Sequence, residues 1–188
     1  MQTYRFSLPL MFMLAWGLSL PAKSADLKAG ENKAQTCVGC HGPQGNSSNN
    51  QFPILAGQQP LYLAVQLKAF KEGRRENPMM SGMAAGLSDD DIDNLSAYFA
   101  GQKPKSAGGD PKLAKQGESK FSMCMGCHGS TAKGNGQFPR LAGQHPEYIA
   151  KQLKNFKEGS RKGGPMGAIA SNLSEQDMEA LGAYLGSL

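Results

Sequence analysis

The sequence predicts an all-α protein made of two tandem copies of one small helical domain, and three observations lead there. One order of segments is written twice along the 188 residues. Apolar residues recur at helical spacing, with no sustained period-two alternation. Proline, serine and glycine stand where helices begin and end. The copies register first at an offset of 87, where Lys28-Ala29-Gly30-Glu31 matches Lys115-Gln116-Gly117-Glu118 and CVGCHG from Cys37 matches CMGCHG from Cys124. From Phe52-Pro53 and Phe138-Pro139 onward the offset is 86, held by QLKAFKEG from Gln66 and QLKNFKEG from Gln152. The lost residue falls in a Gly, Ser and Asn stretch that predicts a loop.

Residues 1–24 come first. Arg5 precedes an apolar run from Phe6 to Leu20, and Ala22-Lys23-Ser24 supplies small residues at the positions a signal peptidase reads. The run is short for a membrane span of about 20 residues. A secretory signal cut after Ser24 is therefore expected, with the remainder exported to a bacterial periplasm. That remainder does not span a membrane, although peripheral association with one is compatible with it.

The first domain is expected over residues 25–103, a linker over 104–110 and the second domain over 111–188. Within each copy the first helix covers 27–38 or 112–125 and runs into the cysteines. Pro60 and Pro146 open the next helices, which Gly73 and Gly159 close. On the first of these, Leu61, Val65, Leu67 and Phe70 are expected to form the apolar face. Ser88 with Asp91, and Ser174 with Asp177, cap a last helix ending near Gly101 and Gly186.

Composition excludes several classes. The chain is 39% hydrophobic, too apolar for a disordered tail, and four cysteines are too few for a disulfide scaffold. Its net charge of +5 falls to +3 once residues 1–24 are set aside, and no four basic residues stand together. Nucleic acid is not an expected partner.

Three short helices per copy bury little apolar surface, so each core lacks something. Cys37-x-x-Cys40-His41 and Cys124-x-x-Cys127-His128 say what that is. Cysteines three apart share one side of a helical turn and can both form thioethers with porphyrin vinyl groups, while the adjoining histidine reaches the iron. Zinc and a redox-active disulfide are the rival chemistries. The first gives the histidines no role, and the second sits on a βαβ pattern that is missing. Two covalently attached haem c groups are expected.

For the opposite axial position the repeat selects among methionines. Met80 and Met166 face each other at offset 86, whereas Met79, Met83, Met123, Met125 and Met178 face other residue types. Both lie seven residues before the Leu-Ser that opens the last helix, in what reads as a loop. His41/Met80 and His128/Met166 are the expected ligand pairs. The carbonyls of Pro53 and Pro139 are candidates to accept the imidazole Nδ1–H. Leu55 and Leu141 read as haem-packing or core residues. His145, whose counterpart is Gln59, is expected on the surface.

Together CVGCH, FPILAGQ, QLKAFKEG and a methionine before LSDDDI, with their second copies, resemble the two-haem cytochrome c4 family of class I cytochromes c. The resemblance covers essentially the whole chain after residue 24. It implies two facing haem domains related by a pseudo-twofold axis, and electron transfer between redox protein partners. The donor would be of the kind of a membrane cytochrome complex and the acceptor of the kind of a haem–copper terminal oxidase. No catalytic residue is expected. The alternatives are an electron-accepting subunit of a periplasmic dehydrogenase, such as a flavocytochrome, and a di-haem peroxidase, for which the chain is short.

Overall fold

The computed structural model describes residues 24–188. The expected signal over residues 1–24 lies outside the described residues but for Ser24. The first copy contains α1 (Leu27–Ala34), α2 (Val38–His41), α3 (Pro60–Lys71), α4 (Pro78–Ala85) and α5 (Asp89–Ala100). The second contains α6 (Pro111–Lys120), α7 (Met125–His128), α8 (Pro146–Glu158), α9 (Met166–Ser171) and α10 (Glu175–Ser187). A lone bridge between Asn135 and Phe138 is the one extended pairing among the described residues.

Local chemistry sets these boundaries. Asp26 accepts from the amides of Lys28 and Ala29, and Asp110 from that of Leu113, so each opening helix begins on a carboxylate cap. The expected helices 27–38 and 112–125 are each interrupted. The chain tightens to a 3-10 turn over Gln35–Cys37 and Phe121–Cys124, then resumes as α2 and α7. Both of these stop at glycines with positive φ, Gly42 (73°) and Gly129 (77°). Ser88 and Ser174 form full capping boxes with Asp91 and Asp177, as their spacing predicts. Lys33 and Lys120 then bind those same aspartates at 3.1 and 2.8 Å, tying the first helix of each copy to its last.

Those two helices cross very closely. A side chain at Gly30 would meet the Asn94 carbonyl oxygen at 2.3 Å, and one at Gly117 the Ala180 carbonyl oxygen at 2.0 Å. Glycine is therefore the residue that lets α1 lie on α5 and α6 on α10. Around the crossings sit the cores: Ala34, Leu63, Leu95 and Phe99 in one copy, and Phe121, Ile149, Met178, Leu181 and Leu185 in the other.

Two expectations fail here. On α3 the buried face is Leu63, Ala69 and Phe70, whereas Leu61 and Val65 are 54% and 42% exposed. Residues 61 and 65 are one turn apart but about 200° around the helix from 63 and 67, so the two pairs cannot share a face. Their counterparts Glu147 and Lys151 carry charge, as an outward face should. The second correction concerns Met80 and Met166, which stand on short helices and not in loops. Asn77 caps α4 by accepting from the Met80 amide at 3.0 Å, Pro78 opens it, and Pro165 precedes α9.

The two copies dock through side-chain-to-backbone bonds that come in matched pairs. Gln144 accepts from the Ile54 amide at 2.8 Å and donates to the Ile54 carbonyl at 2.9 Å. Gln58 does the same to Arg140, at 2.7 and 2.9 Å. Arg75 donates to Tyr148 and Gln152, and Arg161 to Tyr62 and Gln66. The sequence separations are 90 with 82, 73 with 99 and 77 with 95, and each pair centres on the repeat offset of 86. That is the signature of an isologous interface inside one chain.

His145 belongs to the same set, which corrects its expected surface position. It is 7% exposed, and its Nε2–H donates to the Ser47 carbonyl at 3.0 Å. The mate of that bond runs from Gln59 Nε2 to the Lys133 carbonyl, also at 3.0 Å. Imidazole and amide differ chemically, but each offers one N–H to a carbonyl. The connecting stretch is pinned too, by the Lys105 amide to Asn46 and the Ala107 and Gly108 amides to the carbonyls of Gly143 and Gly186.

Candidate haem sites

In each copy the helical turn that carries the cysteines ends on a buried histidine. His41 is 7% and His128 6% exposed. Their Nδ1–H groups donate to the carbonyls of Pro53 and Pro139, both at 2.9 Å, as the sequence suggested. Phe52 and Phe138 approach the imidazole rings edge-on, at centroid distances of 6.1 and 6.4 Å. Each ring is therefore fixed in plane and tautomer, with Nε2 as the nitrogen left to bind a metal. Burial lowers both imidazole pKa values, a shift the proline carbonyls only partly offset. Both rings thus stay neutral, the form that keeps a lone pair on Nε2.

Cys37, Cys40, Cys124 and Cys127 form no disulfide with one another. Cys37 and Cys124 pack against the edge of their core with Leu55 and Leu141. α4 and α9, which carry the half-buried Met80 and Met166, pack on α3 and α8.

One group of residues went unread in the sequence. Arg75 and Arg161 each bond to the glutamines Gln66 and Gln152 and to a tyrosine of the other copy, with the guanidiniums 4.5 Å from the rings of Phe70 and Phe156. No carboxylate among the described residues pairs with either guanidinium. Arg161 is 8% exposed, and its Nε has no hydrogen-bond partner. Burial pushes the Tyr62 phenol up, but the two guanidiniums outweigh it and hold its pKa below the ordinary value. Arg161 is buried and Arg75 half-buried, and a desolvated cation is costly unless hydrogen bonds or a negative charge compensate it. The signal that could have found this group is identity: Tyr62, Gln66, Phe70 and Arg75 all recur unchanged 86 residues later.

The cytochrome c family model matches residues 27–103 and again 114–188. Cytochrome c4 of Pseudomonas aeruginosa is 40% identical over 94% of this chain and 96% of its own length. The chain belongs to the cytochrome c4 family. A crystal structure of reduced recombinant cytochrome c4 from Pseudomonas stutzeri superposes with a TM-score of 0.83 at 41% identity, covering 88% of this chain and all of that one. A protein of Stutzerimonas stutzeri named thiosulfate dehydrogenase electron acceptor is 34% identical over 96% of this chain and 94% of its own length.

With two cytochrome c domains, each bearing a CxxC pair, the protein carries two covalently attached haem c groups and works in electron transfer with redox protein partners. The residues present fit such a group: a cysteine pair on one helical turn and a buried imidazole with a free nitrogen, built twice. Among the described residues no helix is long and apolar enough to cross a membrane.

Proposed function

We propose that the chain is a periplasmic di-haem carrier that passes electrons towards a terminal oxidase of the haem–copper kind, from a donor of the membrane cytochrome kind. Cys37 and Cys40 hold one haem, and Cys124 and Cys127 the other. His41 with Met80, and His128 with Met166, are the axial ligands. Residues 1–24 leave as a secretory signal, and the domains span 25–103 and 111–188 about a linker at 104–110. When bound, each haem supplies a one-electron Fe(III)/Fe(II) couple.

The protein's own residues do the rest. The carbonyls of Pro53 and Pro139 orient the imidazoles and raise their basicity through the 2.9 Å bonds. Met80 and Met166 would each supply a thioether as second protein ligand, which would close the iron to outside ligands and raise its potential relative to a second histidine. Arg75 and Arg161 would supply positive charge at the domain junction, which could offset haem carboxylates lying within reach.

The observation that carries this reading is the buried His–Pro pair on the CxxC turn, built twice with the same distance. A second reading, electron acceptor to a periplasmic dehydrogenase, is favoured by the similarity to the thiosulfate dehydrogenase electron acceptor. Intact mass and a redox-titrated optical spectrum of the exported protein test the first statement. A polypeptide starting at Ala25, two haems heavier than bare chain and low-spin in both oxidation states, is expected. Rapid mixing with membranes containing an oxidase, or with a thiosulfate dehydrogenase plus thiosulfate, separates the two partner readings. Failure of the oxidase to oxidise the reduced protein rejects the first.

A further inference from the structure

The peptide unit joining Pro53 to Ile54 is used from both ends. Its carbonyl accepts His41 Nδ1–H at 2.9 Å, and its N–H donates to Gln144 Oε1, from the other domain, at 2.8 Å. The unit joining Pro139 to Arg140 repeats this, with His128 at 2.9 Å and Gln58 Oε1 at 2.7 Å. Both glutamines are buried, at 6% and 7% exposure. Each is held in orientation by a return bond to the carbonyl of the residue it contacts, and by a second amide on its Oε1, from His145 or Gln59. Each histidine is thus linked through one peptide plane to a side chain from the opposite domain.

We propose that Gln144 and Gln58 are positioning residues that tune the haem of the other domain, Gln144 acting on the N-terminal one and Gln58 on the C-terminal one. The inference rests on the reading that His41 and His128 are the nitrogen ligands of the irons. Its basis is conjugation. Accepting the amide hydrogen draws electron density along the peptide towards its oxygen, and in a dry setting each bond of such a chain strengthens the next by about 10–30%. A stronger carbonyl acceptor pulls harder on Nδ1–H, so the imidazole becomes a better donor to iron. A better donor favours Fe(III) and lowers the potential. The sign follows: removing the glutamine amide raises the potential of the haem across the interface and leaves the haem of its own domain as an internal reference.

The test uses holoprotein carrying Gln144→Met, which keeps the length of the side chain but cannot bond to the Ile54 peptide. Spectroelectrochemical titration gives the two midpoints, and hyperfine-shifted proton resonances of the oxidised protein assign each to its domain. Gln144→Met is expected to raise the N-terminal midpoint and weaken the His41 Nδ1–H bond, seen as an upfield shift of that proton, while the His128 signals stay. Gln58→Met is expected to do the converse, and it serves if Gln144→Met fails to assemble. Gln144→Glu keeps an acceptor for the Ile54 amide, so its N-terminal midpoint stays at or below that of the wild type. A purely structural role would move all three by their loss of stability. Both midpoints moving together, the same-domain midpoint moving, or neither moving in a folded variant overturns the proposal. If the unaltered protein lacks hyperfine-shifted imidazole signals from His41 and His128, the ligand reading has failed and the proposal with it. If those signals are present and Gln144→Met changes nothing, the proposal alone has failed.

Discussion

Gly117→Ala is expected to cost the C-terminal domain about 3 kcal/mol, because the clash it creates is with backbone. The new methyl would lie 2.0 Å from the Ala180 carbonyl oxygen, 2.5 Å from its carbon and 2.9 Å from the Leu181 nitrogen. Ordinary contact begins near 3.4 Å, so the crossing of α6 on α10 must open by more than 1 Å. No rotamer relieves this, and Leu181 and Met178, 1% and 2% exposed, lie on the helix that must move. Overpacking of this kind typically costs about 1–3 kcal/mol when side chains can adjust. Here they cannot, and the roughly 1 kcal/mol that alanine gains over glycine in a helix offsets only part of the loss. For a domain of this size a loss of about 3 kcal/mol lowers the melting temperature by roughly 12–24 °C. Calorimetry of the holoprotein reads it, with Gly86→Ala, where a methyl meets nothing within 4 Å, as control. A Gly117→Ala protein melting within two or three degrees of the wild type would refute the reasoning about the crossing.

The remaining expectations concern the sites and the interface. Met80→Ala and Met166→Ala should each turn one haem high-spin and open it to carbon monoxide when reduced, leaving the other unchanged; a spectrum that stays fully low-spin rejects the ligand concerned. Arg161→Gln removes charged bonds to Tyr62 and Gln66 across the interface, and a double-mutant cycle with Tyr62→Phe in urea should give a coupling of about 1–3 kcal/mol. The Asp177 carboxyl is held down to about 2 by Lys120 and the Ser174 amide, so its stabilisation is full above pH 4 and fades as pH falls towards 2. Solvent screening at this surface keeps that gain to about 1 kcal/mol or less, and Asp177→Asn should flatten this part of the stability profile in urea titrations at pH 6, 4 and 2.5.

What could be read in advance was local. A proline at the first helical position, a serine three residues before an aspartate and a glycine after the last turn act within a few residues, so α3, α5, α8 and α10 stand where their punctuation puts them. The proximal pairing was legible because a histidine fixed by the cysteines needs an acceptor and each copy has a proline at a matching distance. α4 was not, since two prolines or glycines in eight residues look like a loop until the Asn77 cap is counted with Pro78. Leu61 and Val65 were misread because an i, i+4 apolar pair looks the same from either side of a helix. Only the charged counterparts Glu147 and Lys151 tell inside from outside.

The interface was hidden for a different reason. Aligning the copies shows which positions correspond, but not which ones meet, and in an isologous interface position i meets not its own counterpart but that of another residue j. Six of the ten matched bonds end on backbone, which every residue carries, so Ile54 can face Arg140 in the alignment while both take the same glutamine clasp. The other four join Tyr62, Gln66, Arg75 and their copies, where two guanidiniums must share acceptors and little else will fit. Among the backbone-ending bonds, those of His145 and Gln59 ask only for a single donated hydrogen, and two different side chains can perform it. An unlike pair in a repeat is therefore weak evidence that a position is idle. The stronger question is whether both residues share a donor that could reach a carbonyl on the other copy.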